Sequence, residues 1–331
     1  MRVNFGKIGF VGSLLIILGL TFFPQQGFVS HAQAADKVSM RLHWKASGMH
    51  VPFIVAMDQG YFKAEGIDIT VKEGAGSTAT VKLMGANKDT FGMAGTNVIV
   101  KGVARGMPII QVAVVEASKR QGVLSKPEAG IQTPKDLIGK TIAGSGAGTS
   151  DIFNAFLSAN NIPLDKVTYL AAGRARLDAV AAGRADGSLG LGLDDIVRLK
   201  GMGIASPQLL EFGKWGVPDH GDGIITNLDT VKNNPDLIRR FIRAYIRGVN
   251  YTFMDFERAA DITKKHFPMA KKEHLVVQLA NLKWLFPPPL GYQEPDVIEA
   301  VRDMTAKYGG IPEAKDMPLS KFYTNEFLPK N

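Results

Sequence analysis

The sequence has no cysteine in 331 residues. That excludes a disulfide framework, a thiolate metal site, a cysteine nucleophile and membrane anchoring through an acylated cysteine. It has little excess of one charge: 39 Lys and Arg stand against 31 Asp and Glu. The basic residues are scattered among acids rather than gathered in a run, so no nucleic-acid partner is expected. Apolar runs are scarce too. Ile8 to Phe23 is the one extended stretch, short of the roughly 20 residues a membrane span needs, and nothing comparable follows it. Familiar catalytic signatures are missing. Gly144 to Ser150 lacks the lysine and spacing of a P-loop and is no dinucleotide fingerprint, and no H-E-x-x-H, G-x-S-x-G or S-x-x-K stands in an interpretable context. No catalytic residue, metal or cofactor is therefore expected.

What is present at the start is an export pattern. Arg2 and Lys7 precede the apolar run, Gln25 and Gln26 follow it, and Ala32-Gln33-Ala34 offers an A-x-A cleavage site. This reads as a signal peptide over residues 1–34, cleaved after Ala34; the alternative is an uncleaved N-terminal anchor. With no cysteine to lipidate, the periplasm of a bacterium with an outer membrane is the expected location. Removal of the segment takes Arg2 and Lys7 away and lowers the formal charge from +8 to +6. The remaining 297 residues suffice for two lobes of ordinary size, about 100 to 200 residues each.

Strand and helix patterns then alternate. Val38 to Trp44 alternates as a strand with one buried face; His50 to Gln59 places Val51, Ile54, Val55 and Met57 on one helical face; Ile67 to Val71 is a second strand. Gly74-Ala75-Gly76 leads into a helix that Ser77 or Thr78 is expected to cap. Phe91 to Ala94 and Ile109 to Val115 read as strands around a helix from Asn97 to Ala104. After Ser125-Lys126-Pro127 the pattern restarts: a strand at Thr141 to Ala143, the loop Gly144 to Ser150, a helix from Asp151 to Ala159, strands at Val167 to Leu170 and Ala185 to Leu191, and a helix from Arg176 to Ala182. Such alternation implies parallel α/β sheets. From Pro235 onward the chain is helical, with Leu237, Phe241, Tyr245 and Val249, and later Leu275, Leu279 and Leu282, at helical spacing.

Several stretches resemble the bacterial binding proteins for sulfonates, taurine, nitrate and thiamine-precursor pyrimidines, a group that also contains the fungal thiamine-pyrimidine synthase. They are Leu42-His43-Trp44 with His50 to Ala56, Gly60-Tyr61-Phe62-Lys63-Ala64-Glu65-Gly66-Ile67-Asp68-Ile69, Asp136 to Ile142, and Ala182-Gly183-Arg184-Ala185-Asp186. The resemblance implies an α/β type II periplasmic-binding fold, with two parallel-sheet lobes joined by a two-stranded hinge and the C-terminal helices on lobe one. On that reading residues 35–124 open lobe one, 125–220 form lobe two and 221–331 return to lobe one, with crossings near 121–128 and 212–224. It further implies a small-molecule ligand trapped by closure of the lobes and an ABC-type import permease as partner. A monomer is expected. The alternative is an enzyme of the fungal synthase type, but that enzyme has a cysteine-rich motif this chain cannot supply and the export pattern opposes it, so no enzymatic activity is expected.

Ligands of open α/β sheets bind beyond the carboxyl ends of the strands. The candidates there are Trp44, Lys45 and His50, Ser77 and Thr78, Thr96 and Asn97 in lobe one, and Ser145, Thr149 and Ser150, Arg174, Trp215 and His220 in lobe two or the return segment. Helix N-termini capped by Ser77 or Thr78 and by Thr149 or Ser150 would suit an anionic group, although Ser and Thr also cap helices that bind nothing. Arg174 can pair with a carboxylate, sulfonate or phosphate or be a solvated surface residue. Trp44 can stack on an aromatic ligand or be plain core, and His50 and His220 are the weakest candidates. The expected ligand is a small organic anion, an aromatic carboxylate or sulfonate, with a thiamine-related pyrimidine or other nitrogen heterocycle as the alternative.

Overall fold

A computed structural model describes residues 34–330 other than 119, 146 and 219, and for residues 147–150, 193 and 194 it describes the backbone alone. The expected export segment, but for Ala34, lies outside the described residues. No helix among the described residues is long and apolar enough to cross a membrane.

The chain runs through β1 (Asp36–Arg41), α1 (Val51–Asp58), α2 (Tyr61–Ala64), β2 (Ile67–Lys72), α3 (Ser77–Gly85), β3 (Phe91–Gly95), α4 (Thr96–Ala104) and β4 (Ile109–Val114). A second set follows: β5 (Gln121–Ser125), β6 (Thr141–Gly144), α5 (Ala147–Ala159), β7 (Thr168–Ala171), α6 (Arg176–Ala181), β8 (Gly187–Leu191), α7 (Gly192–Gly201) and β9 (Gln208–Glu211). The return carries β10 (Asp222–Asn227), α8 (Leu228–Asn233), α9 (Pro235–Met254), α10 (Phe256–His266), α11 (Lys272–Leu282) and α12 (Pro295–Tyr308).

Two five-stranded sheets result, in the orders β2-β1-β3-β10-β4 and β7-β6-β8-β5-β9. The parallel alternation read from the sequence holds for the triplets β2-β1-β3 and β7-β6-β8. Each sheet also holds one strand that runs against its neighbours: β10 between β3 and β4, and β5 between β8 and β9. Both reversed strands come directly after the chain changes lobes. The first sheet's β4 ends at Val114, and Gln121 to Ser125 already pairs with β8 and β9 of the second. The chain returns between β9, which ends at Glu211, and β10, which begins at Asp222. A strand as short as β5, with a basic loop before it and Lys126-Pro127 after it, carries too little alternation to separate it from a linker.

Lobe one is fixed by α9. Its inner face buries Leu237, Phe241, Tyr245 and Val249, and the Phe241 ring stacks on Phe91 of β3 with centroids 3.8 Å apart. Gly248 lets α9 lie against α1, since a Cβ there would sit 2.2 Å from the Pro52 carbonyl oxygen. The outer face is cationic and tied down: Arg240 bonds Asp36 at 2.7 Å and Asp236 at 2.6 Å, and Arg243 bonds Glu65 at 2.7 Å. α10 and α11 extend this layer over α1, as the resemblance implies. α12 also packs on lobe one and in addition reaches the second lobe. It packs on α4 and also on α5 of the second lobe, and Ile298, Val301 and Met304 share one buried cluster with Phe153 and Phe156.

The β1–β2–β3 edge is pinned by a buried carboxylate. Asp89 accepts from Arg41 Nε at 2.8 Å and Lys72 Nζ at 2.9 Å. Burial pushes the Asp89 carboxyl up, but the Lys72 and Arg41 bonds outweigh it and leave it below the usual aspartate range. A depressed folded-state pKa contributes stability that is present above the unfolded value near 4 and is lost as pH falls through the folded value. Asp89→Asn should cost about 2 kcal/mol at pH 7, and in denaturant melts that difference from the native protein should shrink as pH drops below about 4. A gap that stayed constant down to pH 2 would contradict the assignment.

Candidate functional site

The segments that follow β1, β3, β6, β7 and β8 converge on a cavity of about 820 Å3 between the two sheets. Beyond Arg41 the chain of β1 stays attached for one more residue, Leu42 N donating to Lys72 O at 2.8 Å. It then turns under a glycine loop: Gly76 N donates to His43 O at 2.7 Å and Gly74 N to Trp44 O at 3.2 Å. A Cβ on Gly74 would lie 2.0 Å from the Leu42 carbonyl oxygen, so only glycine allows this approach. The backbone of Trp44 is held while its ring, 37% exposed, faces the cavity.

Arg174 of the second lobe stands over that ring, its Cζ 5.1 Å from the Trp44 centroid, within reach of a cation–π attraction. Lys45 beside Trp44 is neutralised by Glu73 at 2.5 Å. Burial pushes the Glu73 carboxyl up, but Lys45, the Ala46 N–H and the nearby Arg174 charge prevail and hold it below the usual range. Glu73 is thus a carboxylate at neutral pH, already committed to Lys45, and Arg174 keeps its charge turned toward the cavity.

The second lobe adds a fixed ion pair. Arg176 donates to Asp195 Oδ2 at 2.7 Å, the same oxygen accepts from Leu191 N at 2.8 Å, and Oδ1 accepts from Arg198 at 3.3 Å. Gly190 makes room for this carboxylate, because a Cβ there would fall 2.3 Å from Asp195 Oδ2. On the opposite wall α11 supplies Lys271, His274 and Gln278, and Gln278 Oε1 accepts from Gly48 N at 2.8 Å. Across the cleft, Lys101 of α4 pairs with Asp151 of α5.

Behind Trp44 runs a buried chain of imidazoles. Ser47 N donates to His50 Nδ1 at 3.1 Å, and His50 Nε2 stands 3.2 Å from His43 Nδ1. His43 Nε2 lies 3.8 Å from a carboxylate oxygen of Asp222, the first residue of β10. The Ser47 bond assigns the His50 proton to Nε2, so His50 donates to His43 and His43 presents its own N–H toward Asp222. Since His43 and Ser47 line the cavity, this chain joins its wall to the second crossing.

Of the residues singled out from the sequence, Trp44, Lys45, Ser77, Thr78, Asn97, Ser145 and Arg174 line the cavity. His50, Thr96, Trp215 and His220 are not among the lining residues. His50 is buried one layer back, its Nδ1 held by Ser47. Thr96 donates its hydroxyl to Gly221 O at 3.0 Å and is consumed by the crossing. Trp215 is on the outside of a 3-10 turn, where its carbonyl accepts from Asn160 at 2.9 Å. His220 is buried with Nδ1 donating to Pro218 O at 3.0 Å. The expected caps also differ. Gly76, at φ +117°, takes the N-cap of α3, and Ser77 Oγ instead accepts from Gly95 N at 3.0 Å, binding α3 to the end of β3. Thr149 and Ser150 fall in the first turn of α5, and their side chains lie outside the described residues.

The sequence reading missed His43, Arg176, Asp195, Arg198 and the α11 wall. His43 was within reach, next to Trp44 at the end of a strand. The α11 residues carried no signal, because they reach the cavity only through a fold contact spanning 230 positions. Loss of the carboxylate that holds Arg176 leaves a mostly buried guanidinium with no counter-charge and only the Ser188 hydroxyl at 3.3 Å, so Asp195→Ala should cost about 3 kcal/mol in denaturant melts. A loss under about 0.5 kcal/mol would show that the pair does not organise this wall.

Comparison with known proteins places this geometry in context. The chain is 22% identical over 284 residues to a formylaminopyrimidine-binding protein of Halalkalibacterium halodurans, covering 82% of this chain and 85% of that one. It is 24% identical over 233 residues to a 4-amino-5-hydroxymethyl-2-methylpyrimidine phosphate synthase of Saccharomyces cerevisiae, covering 67% and 68%. The crystal structure of the periplasmic aliphatic sulphonate binding protein SsuA from Escherichia coli superposes with a TM-score of 0.70 at 14% identity, covering 88% of this chain and 99% of that one. That likeness establishes the two-lobed periplasmic-binding fold. A single family model, described as NMT1/THI5 like, matches residues 47–259, a stretch that takes in both crossings and the whole second lobe, and on that match the chain belongs to the NMT1/THI5-like family.

Proposed function

We propose that this protein is the exported solute-binding component of an ABC-type importer, and that it captures an aromatic organic anion between its lobes. The observation that carries the reading is the meeting of Arg174 and Trp44 across the cleft, 5.1 Å apart in a cavity of about 820 Å3. An aromatic platform on one lobe and a guanidinium on the other suit a flat ring bearing a carboxylate or sulfonate. The ring stacks on Trp44 and the anion pairs with Arg174. A ligand touching both lobes stabilises the closed arrangement by its differential contacts, which is how a two-lobed receptor signals occupancy to a permease.

A second reading follows from the relatives. The name of the Halalkalibacterium halodurans protein, a formylaminopyrimidine-binding protein, points to a nitrogen heterocycle stacked on Trp44 with little use of Arg174. The yeast synthase is an enzyme by name. What supports binding over catalysis is the cysteine-free sequence with its export pattern, together with a cavity in which Lys45 is committed to Glu73 and Arg176 to Asp195.

The test is a thermal-shift screen of the protein with benzoate, benzenesulfonate, taurine, nitrate and 4-amino-5-hydroxymethyl-2-methylpyrimidine, followed by calorimetric titration of the hits. A ligand at about 100 times its Kd stabilises by about 2.7 kcal/mol. Arg174→Ala should weaken benzoate or benzenesulfonate by about 10- to 100-fold, in line with loss of a charge-assisted bond of about 1.5–3 kcal/mol, and Trp44→Ala should weaken it by about 10-fold. Binding that survives Arg174→Ala intact but vanishes with Trp44→Ala would sink the anion reading and favour the heterocycle. Mass-spectrometric consumption of a bound compound would revive the enzyme.

A further inference from the structure

The cavity lining is far more cationic than the chain as a whole. Lys45, Arg174, Arg176, Arg198 and Lys271 face it against one described carboxylate, Asp195. Two of these cations are already matched, Lys45 by Glu73 at 2.5 Å and Arg176 by Asp195 at 2.7 Å. Among the described residues Arg198 pairs only with the other oxygen of the same Asp195, at 3.3 Å, and that carboxylate cannot neutralise two guanidinium groups. Arg174 and Lys271 have no carboxylate partner among the described residues. The surplus sits in two places. Arg174 stands over Trp44. Arg198 lies on the far side of the Arg176–Asp195 pair on α7, and Lys271 opens α11, the helix that packs against α7 from the other lobe. Surplus charge of one sign gathered along a cleft attracts a ligand of opposite sign, since field lines concentrate between low-dielectric walls.

We infer that the site takes an aromatic dianion, one anionic group paired with Arg174 above Trp44 and a second held between Arg198 and Lys271 where α7 meets α11. The inference rests on the proposed anion-binding function and narrows it from one negative charge to two. The cavity size agrees: about 820 Å3 is within the range of about 300–1,000 Å3 of small-molecule sites and exceeds what a benzoate-sized ligand fills. The second pair of cations comes from opposite lobes, so a dianion would tie the lobes together at two points where a monoanion ties them at one.

The experiment compares benzoate with isophthalate and terephthalate by calorimetric titration of the purified protein, at two salt concentrations. The expected result is that at least one dicarboxylate binds 10-fold or more tighter than benzoate, with an affinity that falls more steeply as salt rises. In the double variant Arg198→Ala/Lys271→Ala the ratio of dicarboxylate to benzoate affinity should drop to about one. Both residues are exposed, so the fold should tolerate their loss. The charge-conserving variant Lys271→Arg should keep the preference. Benzoate binding without any preference for a dicarboxylate, or a preference that survives the double variant, overturns the dianion inference and leaves the proposed function standing. Failure of all three compounds to bind overturns the aromatic-anion function, and the inference with it.

Discussion

The two chain crossings touch backbone to backbone, and the arrangement of everything else follows from that contact. A Cβ on Gly221 would lie 1.4 Å from the Glu116 carbonyl oxygen, a separation no side chain can share. Val115 N donates to Asp222 O at 2.7 Å, and Gly221 O accepts both Thr96 N at 3.1 Å and Thr96 Oγ1 at 3.0 Å. Both crossings are thereby clamped to the start of α4, beside the residues that face the cavity. The two connections between the lobes therefore run side by side along one line, fixed by backbone bonds beside the cavity.

From that line the site is assembled in layers. The glycine loop at 74–76 holds the backbone of Trp44, and Gly190 opens space for the carboxylate that fixes Arg176. The imidazole chain from Ser47 through His50 and His43 reaches Asp222 at the crossing, so the wall behind Trp44 is polar and hydrogen-bonded. α12 packs on α4 and α5 together and shares an apolar cluster with both lobes. Beyond the crossings themselves, the described residues join the lobes at an apolar bridge through α12, at the contact of α7 with α11, at the Lys101–Asp151 ion pair, and at the Arg174–Trp44 pair in the cavity. A ligand entering between Trp44 and Arg174 would replace the last of these and leave the others in place.

Much of this architecture was legible in the residues. Alternation in Val38 to Trp44 and helical spacing in α9 reflect one-sided burial, the strongest periodic signal a chain carries. Gly-Tyr-Phe-x-x-x-Gly-Ile-x-Ile carries the family resemblance, and Trp44 and Arg174 each stand out in the sequence at the end of a strand, though nothing local encodes their contact. What escaped has physical reasons. β5 and β10 are short strands placed in the middle of a sheet, buried on both faces, and have no alternation to show. Ser77 looked like a helix cap because serine does that work in most helices, yet Gly76 precedes it and frees its hydroxyl for β3. Thr96 and His220 were drawn into the crossing rather than the cavity, and the α11 wall arrives through a contact no local pattern encodes.

The central claim is that an aromatic anion inserts between Trp44 and Arg174, and fluorescence addresses it most directly. The chain has three tryptophans, Trp44, Trp215 and Trp284, and the latter two are exposed away from the cavity, so Trp215→Phe/Trp284→Phe leaves Trp44 as the sole emitter. Titration of that variant with benzenesulfonate should give a saturable change in Trp44 emission, and the same titration after Arg174→Ala should require a concentration at least 10-fold higher. Emission that stays constant while calorimetry records binding would place the ligand elsewhere and contradict the account.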